Sequence, residues 1–278
     1  MAQNGDNIKT MKLYSNVERI YNELKECGYS KEDKLDSSVV NRFDQYHYYG
    51  TQAIDEAINI LQIRSEHQVL DIGSGLGGPA RYLATRTGCH VTAVEMQADL
   101  HQTAADLTRR CGLSALVNHV QGNFLEMSAD DCKGYDFIVS WLVFLHIKDK
   151  QTLFQRCKQH LKPSGKMYIE DFYIQSPLDK AENDILREAI YCEDAPSKQQ
   201  YTDLLLGAGF CDIQFEDVTS SWGDFVRERH NAYTSSKDRH ISIHGSHVYQ
   251  EQQDFYSAVN TLFSGGHLGG CKIIAVRK

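Results

Sequence analysis

From Val69 onward, short apolar runs alternate with stretches whose apolar positions recur every three or four residues. The first run, Val69-Leu70-Asp71-Ile72, leads through glycines to a helical pattern in Pro79-Ala80-Arg81-Tyr82-Leu83-Ala84. The second, Val91-Thr92-Ala93-Val94, ends in Glu95. Continued along the chain, the pattern predicts strands at 68–72, 90–94, 117–121, 136–140, 166–171, 212–217 and 272–277. Strands so spaced need helical crossovers. The expected fold is therefore α/β, a doubly wound and mostly parallel seven-stranded sheet with helices on both faces. Leu161-Lys162-Pro163-Ser164-Gly165 reads as a helix end and turn before the fifth strand.

Upstream, Val17, Ile20, Tyr21 and Leu24 fall at helical spacing within Tyr14 to Tyr29, while residues 1–12 are polar and expected to fray. An aromatic patch, Phe43 to Tyr49, precedes a helix with Ile54, Ala57, Ile58 and Leu61 on one face. The patch can be core, cap packing or a cation–π cage. Two connections, 172–211 and 218–271, exceed simple crossovers, the first with room for one helix near 198–208. Long connections near the carboxyl ends of strands commonly build the ligand side of such a sheet. The expected division is a helical cap segment over 1–60 and a ligand-binding domain over 61–278, with cap insertions near 172–200 and 218–271. Gly265 to Gly270 reads as a flexible turn, because no helix follows it.

The formal net charge of −8 argues against a nucleic-acid partner and leaves room for an acidic pocket around a cationic small molecule. Eight cysteines stand far apart, without a C-x-x-C pair or a His/Cys set at zinc spacing. Free thiols in a reducing compartment and no metal are expected, with His240, His244 and His247 on a solvated surface. No apolar leader and no apolar run of membrane-spanning length occurs, so a cytoplasmic protein without membrane insertion is expected, as monomer or homodimer.

The chemistry centres on Asp71-Ile72-Gly73-Ser74-Gly75-Leu76-Gly77-Gly78, a glycine loop between strand and helix. Glycines there allow positive φ and close approach of a ligand to the backbone. Glu95 follows about 20 residues later, where a carboxylate can accept from both hydroxyls of a ribose. The pair implies a nucleoside ligand. Together with Tyr135-Asp136-Phe137-Ile138-Val139-Ser140 and Leu161-Lys162-Pro163-Ser164-Gly165, the loop resembles the class I S-adenosylmethionine-dependent methyltransferases over residues 66–172. The resemblance implies S-adenosylmethionine as cofactor, with Gly73, Gly75 and Gly77 beside its methionine part and Asp71 organising the loop. It further implies Glu95 on the ribose, Met96 on the adenine face, Asn123 at the adenine edge and Trp141 in the cofactor wall.

A narrower resemblance rests on the loop taken with Ser140-Trp141-Leu142-Val143-Phe144-Leu145-His146. This pairing is similar to the phosphoethanolamine and the sarcosine/dimethylglycine N-methyltransferases. It implies His146 as a substrate-facing base and Tyr29 as a tyrosine closing over the site. Without it, the better reading of His146 is a turn histidine satisfied by its own backbone. Tyr46, Phe172, Tyr191 and Glu193 are candidates for the acceptor side. Glu193 and Asp194 would repel a phosphate, and Phe172 offers no hydroxyl, so the expected acceptor is a small amine or amino-acid-derived molecule rather than a phosphate ester. Gly77-Gly78-Pro79-Ala80-Arg81 also resembles the sterol C-methyltransferases. Two alternatives stay open: a carbon or oxygen methyltransferase on a lipid or terpenoid, and a non-catalytic module that only binds the cofactor.

Overall fold

A computed structural model of the chain describes residue 11, residues 14–128 and residues 134–278. The sheet contains β1 (Gln68–Ile72), β2 (His90–Glu95), β3 (Val117–Gln121), β4 (Tyr135–Trp141), β5 (Leu161–Ile174), β6 (Phe210–Asp217) and β7 (Leu268–Arg277). Their spatial order is β3-β2-β1-β4-β5-β7-β6. β1 to β5 pair in parallel, while β7 runs antiparallel to β5 and β6. The winding reverses between β1 and β4, which opens a crevice at the carboxyl ends of these two strands.

The N-terminal segment carries α1 (Arg19–Glu26) and α2 (Ser37–Val40). α3 (Thr51–Leu61) precedes β1, and the crossover helices are α4 (Gly78–Thr87), α5 (Ala98–Arg110) and α6 (Lys150–His160). In the first long connection α7 (Lys180–Glu188) precedes α8 (Lys198–Ala208), and the second holds α9 (Thr219–Ser235), α10 (Lys237–His244) and α11 (Ser246–Gly265). Capping boxes fix the starts of α7 (Asp179 with Glu182) and α8 (Ser197 with Gln200).

Both faces of the central strands are buried, which explains their unbroken apolar runs. On one face Leu70, Ile138, Met167 and Ile273 pack with Phe154 of α6 and Leu205 of α8. On the other, Val69, Val91 and Val139 pack with Ile54 of α3 and Leu83 of α4. A third core lies above the crevice, where Tyr48, Phe172, Trp222, Phe255 and Leu262 meet Met11. Met11 falls within the stretch expected to fray, yet it is buried; residues 1–10 and 12–13 lie outside the described residues.

Several boundaries differ from expectation. Leu161 to Gly165 belongs to β5 rather than to a turn, although Ser164 has φ +62° and the β4–β5 register shifts there. The first helix is shorter than Tyr14–Tyr29, beginning at Arg19 after turns. The turn expected over Gly265 to Gly270 narrows to Gly266 and His267: α11 runs to Gly265, and Gly269 and Gly270 are already buried in β7. A Cβ on Gly270 would stand 2.2 Å from the Trp222 ring, so glycine is required there by the packing of α9. Seven described cysteines are free thiols, and Cys132 lies outside the described residues. Among the described residues, no helix is long and apolar enough to cross a membrane.

Candidate active site

The glycine loop leaves β1 and is fastened to the end of β2. The N–H groups of Gly73 and Ser74 both donate to the Val94 carbonyl, at 2.9 and 3.0 Å. Glu95 adds a second fastening, accepting from Gly75 N at 2.9 Å and from Gln97 N at 2.8 Å. Loop and acid therefore form one preorganised unit. Gly73 and Gly75 have positive φ, and their roles differ. A Cβ on Gly73 would collide with Val143, whereas one on Gly75 would meet no protein atom and would stand in open space.

That space belongs to a cavity of about 710 Å³ at the carboxyl ends of the strands. Asp71, Gly73, Gly75, Glu95, Met96, Asn123 and Trp141 all line it, as do Tyr46 and His146. Three buried polar atoms at or near this wall have no hydrogen-bond partner: Asp71 Oδ2, Ser74 Oγ and Trp141 Nε1. Burial, and then the charge of Glu95, push the Asp71 carboxyl up to about 8. Burial also raises Glu95. Two adjacent carboxyls with an unused oxygen favour a ligand that brings a positive charge and hydrogen-bond donors.

His146 stands on a single 3-10 turn, Phe144–His146, just past β4. Its Nδ1 lies 3.2 Å from the Tyr191 carbonyl oxygen. A carbonyl can only accept, so Nδ1 carries the proton and the neutral ring keeps its lone pair on Nε2. Burial lowers His146 to about 4, and the ring is neutral at pH 7. Leu142 and Tyr191 both adopt φ +56°, which is rare for residues with a side chain; the backbone on both sides of His146 is therefore held in an uncommon conformation.

The roof is aromatic. Tyr14 meets His146 edge-on at 6.2 Å between centroids and Tyr46 at 6.1 Å, and His47 lies 5.6 Å from Trp141. Burial, and next the charge of Glu95, raise the Tyr14 phenol far above its ordinary value, so it remains a hydroxyl donor.

Other candidates lie elsewhere. Gly77 is outside the cavity wall, and its missing Cβ makes room for His119 and Arg81. Tyr29 is also outside it; this side chain packs beside Ile20 and Leu24 while its N–H closes the end of α1. Tyr14, not Tyr29, is the tyrosine that lines the cavity beside His146. Phe172 is buried behind the wall against Tyr48, Trp222 and Phe263. Tyr191 reaches the site through its carbonyl rather than its ring. Glu193 is outside the wall and paired with Lys148 at 2.6 Å. Asn123 lines the cavity, but its Oδ1 already accepts from Leu125 N, leaving one lone pair.

Asp44 was not legible as a site residue. It lines the cavity and forms a fully buried ion pair with Arg81 at 2.8 Å. Arg81 also donates to the carbonyls of Leu76 and Ala104 and to Thr108. It therefore locks the aromatic segment onto the glycine loop. Gly78 allows this approach, since a Cβ there would stand 2.5 Å from Asp44 O. The nearest sequence signal was the Gly77-Gly78-Pro79-Ala80-Arg81 motif itself.

A family described as methyltransferase domain matches residues 45–252. The glycine/sarcosine/dimethylglycine N-methyltransferase of Actinopolyspora halophila is 30% identical over 159 residues, 57% of this chain and 28% of that protein. The phosphoethanolamine N-methyltransferase 1 of Arabidopsis thaliana is 28% identical over 203 residues, 73% of this chain and 40% of that one. The chain thus spans less than half the length of these curated relatives. Phosphoethanolamine N-methyltransferase 2 of Haemonchus contortus, solved with S-adenosyl-L-methionine, shares the fold with a TM-score of 0.80 at 18% identity, covering 100% of this chain and 60% of that one.

Proposed function

The chain belongs to the methyltransferase-domain family, and from that premise we propose that it transfers a methyl group from S-adenosylmethionine to the nitrogen of a small amine or amino-acid-derived acceptor. Bound S-adenosylmethionine supplies an electrophilic methyl group on a sulfonium centre. The cavity residues fit this cofactor. Asp71 Oδ2 is a buried acceptor without a donor, suited to an ammonium. Glu95 is a fixed carboxylate suited to a pair of hydroxyls, and the Gly75 backbone leaves room for close approach.

The observation that carries the nitrogen acceptor is the neutral imidazole of His146, anchored through Nδ1 and lining the cavity. An alkylammonium has no lone pair, so its nitrogen must lose a proton before it can accept a methyl group. His146 Nε2 takes that proton. The lowered pKa of the imidazole does not oppose this step in itself. Proton transfer from ammonium to imidazole conserves charge, and the same burial penalises both cations. Tyr14, Tyr46 and Trp141 line the cavity and exclude water, so the residues act mainly by orientation and desolvation.

The acceptor carries a positive charge and is free of phosphate. Besides the cofactor pair Asp71 and Glu95 and the Arg81-paired Asp44, Glu126 and Asp149 line the cavity, and the lysine among its described lining residues, Lys148, is paired with Glu193. Side-by-side turnover of glycine, sarcosine, dimethylglycine and phosphoethanolamine tests this reading. Methylation of the phosphate-free amines is expected. Turnover of phosphoethanolamine alone would overturn the acceptor class, and turnover only of neutral alkenes or alcohols would overturn nitrogen transfer.

A further inference from the structure

Away from the cavity, α1 packs against α10, and this contact gathers three metal-ligating side chains. His240 and His244 stand one helical turn apart and project from the same face of α10. Glu23 of α1 closes the third side. One donor atom from each of the three lies within 4.8 Å of the other two.

The site is built rather than incidental. The His244 side chain is only 3% exposed, and its Nε2 lies 2.9 Å from Glu23 Oε1. The ring of His240 stacks on Tyr233 at 4.1 Å, and Tyr233 stacks in turn on Tyr249 at 5.2 Å, so the imidazole plane is fixed. The Nδ1 atoms of both histidines are buried and without hydrogen-bond partners. His247, by contrast, is exposed and has no place in the cluster. The sequence had suggested solvated histidines throughout; the pairing with Glu23 depends on a contact between distant helices.

We propose that Glu23, His240 and His244 form a binding site for one divalent transition-metal ion, with zinc as the best match to two imidazoles and a carboxylate. Magnesium and calcium favour six or more oxygen donors, and this cluster offers one carboxylate. Cuprous ion favours thiolates and thioethers, which the cluster lacks. A tetrahedral ion with bonds of about 2.0–2.1 Å keeps its donors roughly 3.3 Å apart. The Glu23–His244 pair therefore has to open by a few tenths of an ångström, and donors of the trio as far as 4.8 Å apart have to close toward that spacing. The ion takes the lone pair of His244 Nε2 while the neutral ring carries its one proton on Nδ1, so the Nε2–Oε1 hydrogen bond gives way to two metal bonds and no proton is lost from the ring.

Arg239 shapes the site from outside. It bonds Glu23 Oε2 at 2.5 Å and Oε1 at 3.1 Å. The ion replaces the longer bond, and the shorter one stays to orient the carboxylate, as an outer partner of a metal ligand does. The arginine charge makes the site weaker than one without a neighbouring cation. Because Tyr14 of the cavity roof precedes α1 by a few residues, an occupied site pins the segment that carries the roof.

The test is titration of the metal-free full chain with cobalt(II), whose visible spectrum reports geometry and ligand type, followed by competition with zinc(II). We expect one equivalent bound, a tetrahedral nitrogen/oxygen spectrum without a thiolate charge-transfer band, displacement by zinc and a raised melting temperature. His240→Ala and His240→Gln should each weaken binding at least tenfold while circular dichroism remains that of the unaltered protein. Absence of saturable binding by the unaltered chain would overturn the site. So would a thiolate band, which assigns the ion to cysteines, or unchanged affinity in either folded variant.

Discussion

Binding of the cofactor near neutral pH should release close to one proton from the Asp71–Glu95 pair. The Asp71 carboxyl is raised to about 8 by burial and then by Glu95, so at pH 7 about nine in ten molecules hold this proton. A cation brought to the unbonded Asp71 Oδ2 favours the carboxylate, by roughly 1–3 pKa units for an opposite charge at close range. At the upper end of that range the bound site is about 99% ionised at pH 7, and about 0.9 proton leaves per cofactor. Glu95 is raised as well, so the released proton belongs to the coupled pair rather than to one residue. The sign is fixed by linkage. Release on binding means that affinity rises with pH, by up to about tenfold per unit below pH 8, and levels off above it. Calorimetry at pH 7 in buffers of low and high ionisation enthalpy measures the proton count as the slope of observed heat. At pH 9 the slope should fall to about 0.1, and Asp71→Asn should abolish most of it at pH 7. A zero slope at pH 7 would refute the reasoning. A full slope in Asp71→Asn would show that the proton comes from elsewhere.

Asp44→Ala leaves Arg81 charged and fully buried without its carboxylate, and should cost about 3–5 kcal/mol in urea unfolding; a loss below about 1 kcal/mol would mean that the carbonyl bonds of Arg81 suffice. Gly75→Ala should fold, because its Cβ meets no protein atom, with a backbone cost of about 1–2 kcal/mol at φ +53°. Its cofactor affinity should nevertheless fall by about tenfold or more, and unchanged affinity would remove the loop from the cofactor wall. Since burial lowers His146 to about 4, the acid limb of the pH–rate profile should lie near pH 4, where the imidazole gains a proton and ceases to accept one. A His146-dependent limb near 6.5 would indicate a solvated ring instead.

The sheet was readable because parallel strands buried on both faces appear as apolar runs, as Val69 to Ile72 and Val91 to Val94 do. The glycine loop was readable for a related reason: Gly73 and Gly75 answer to local backbone geometry and to an acid one strand away. The roof and cap were not. Nothing in the local pattern distinguishes Tyr14 from Tyr29, since the choice depends on contacts with His146 and Tyr46 far along the chain. The Asp44–Arg81 pair is invisible for the same reason, and so is the use of the Tyr191 carbonyl rather than its ring. Helices α9 to α11 bury faces against one another and the cap, so their signals were diluted within one long connection.

The most direct measurement compares single-turnover methyl transfer to a primary or secondary amine in the unaltered enzyme and in His146→Ala, with cofactor affinity determined on the same samples. His146 and the Asp71–Glu95 loop line different parts of one cavity, and the proposal gives the acceptor to the first and the cofactor to the second. The variant should therefore bind S-adenosylmethionine nearly as the unaltered protein does, and transfer should slow by about 10²–10⁴-fold. Near-normal transfer by a folded His146→Ala protein would contradict the account and point to an acceptor that needs no deprotonation.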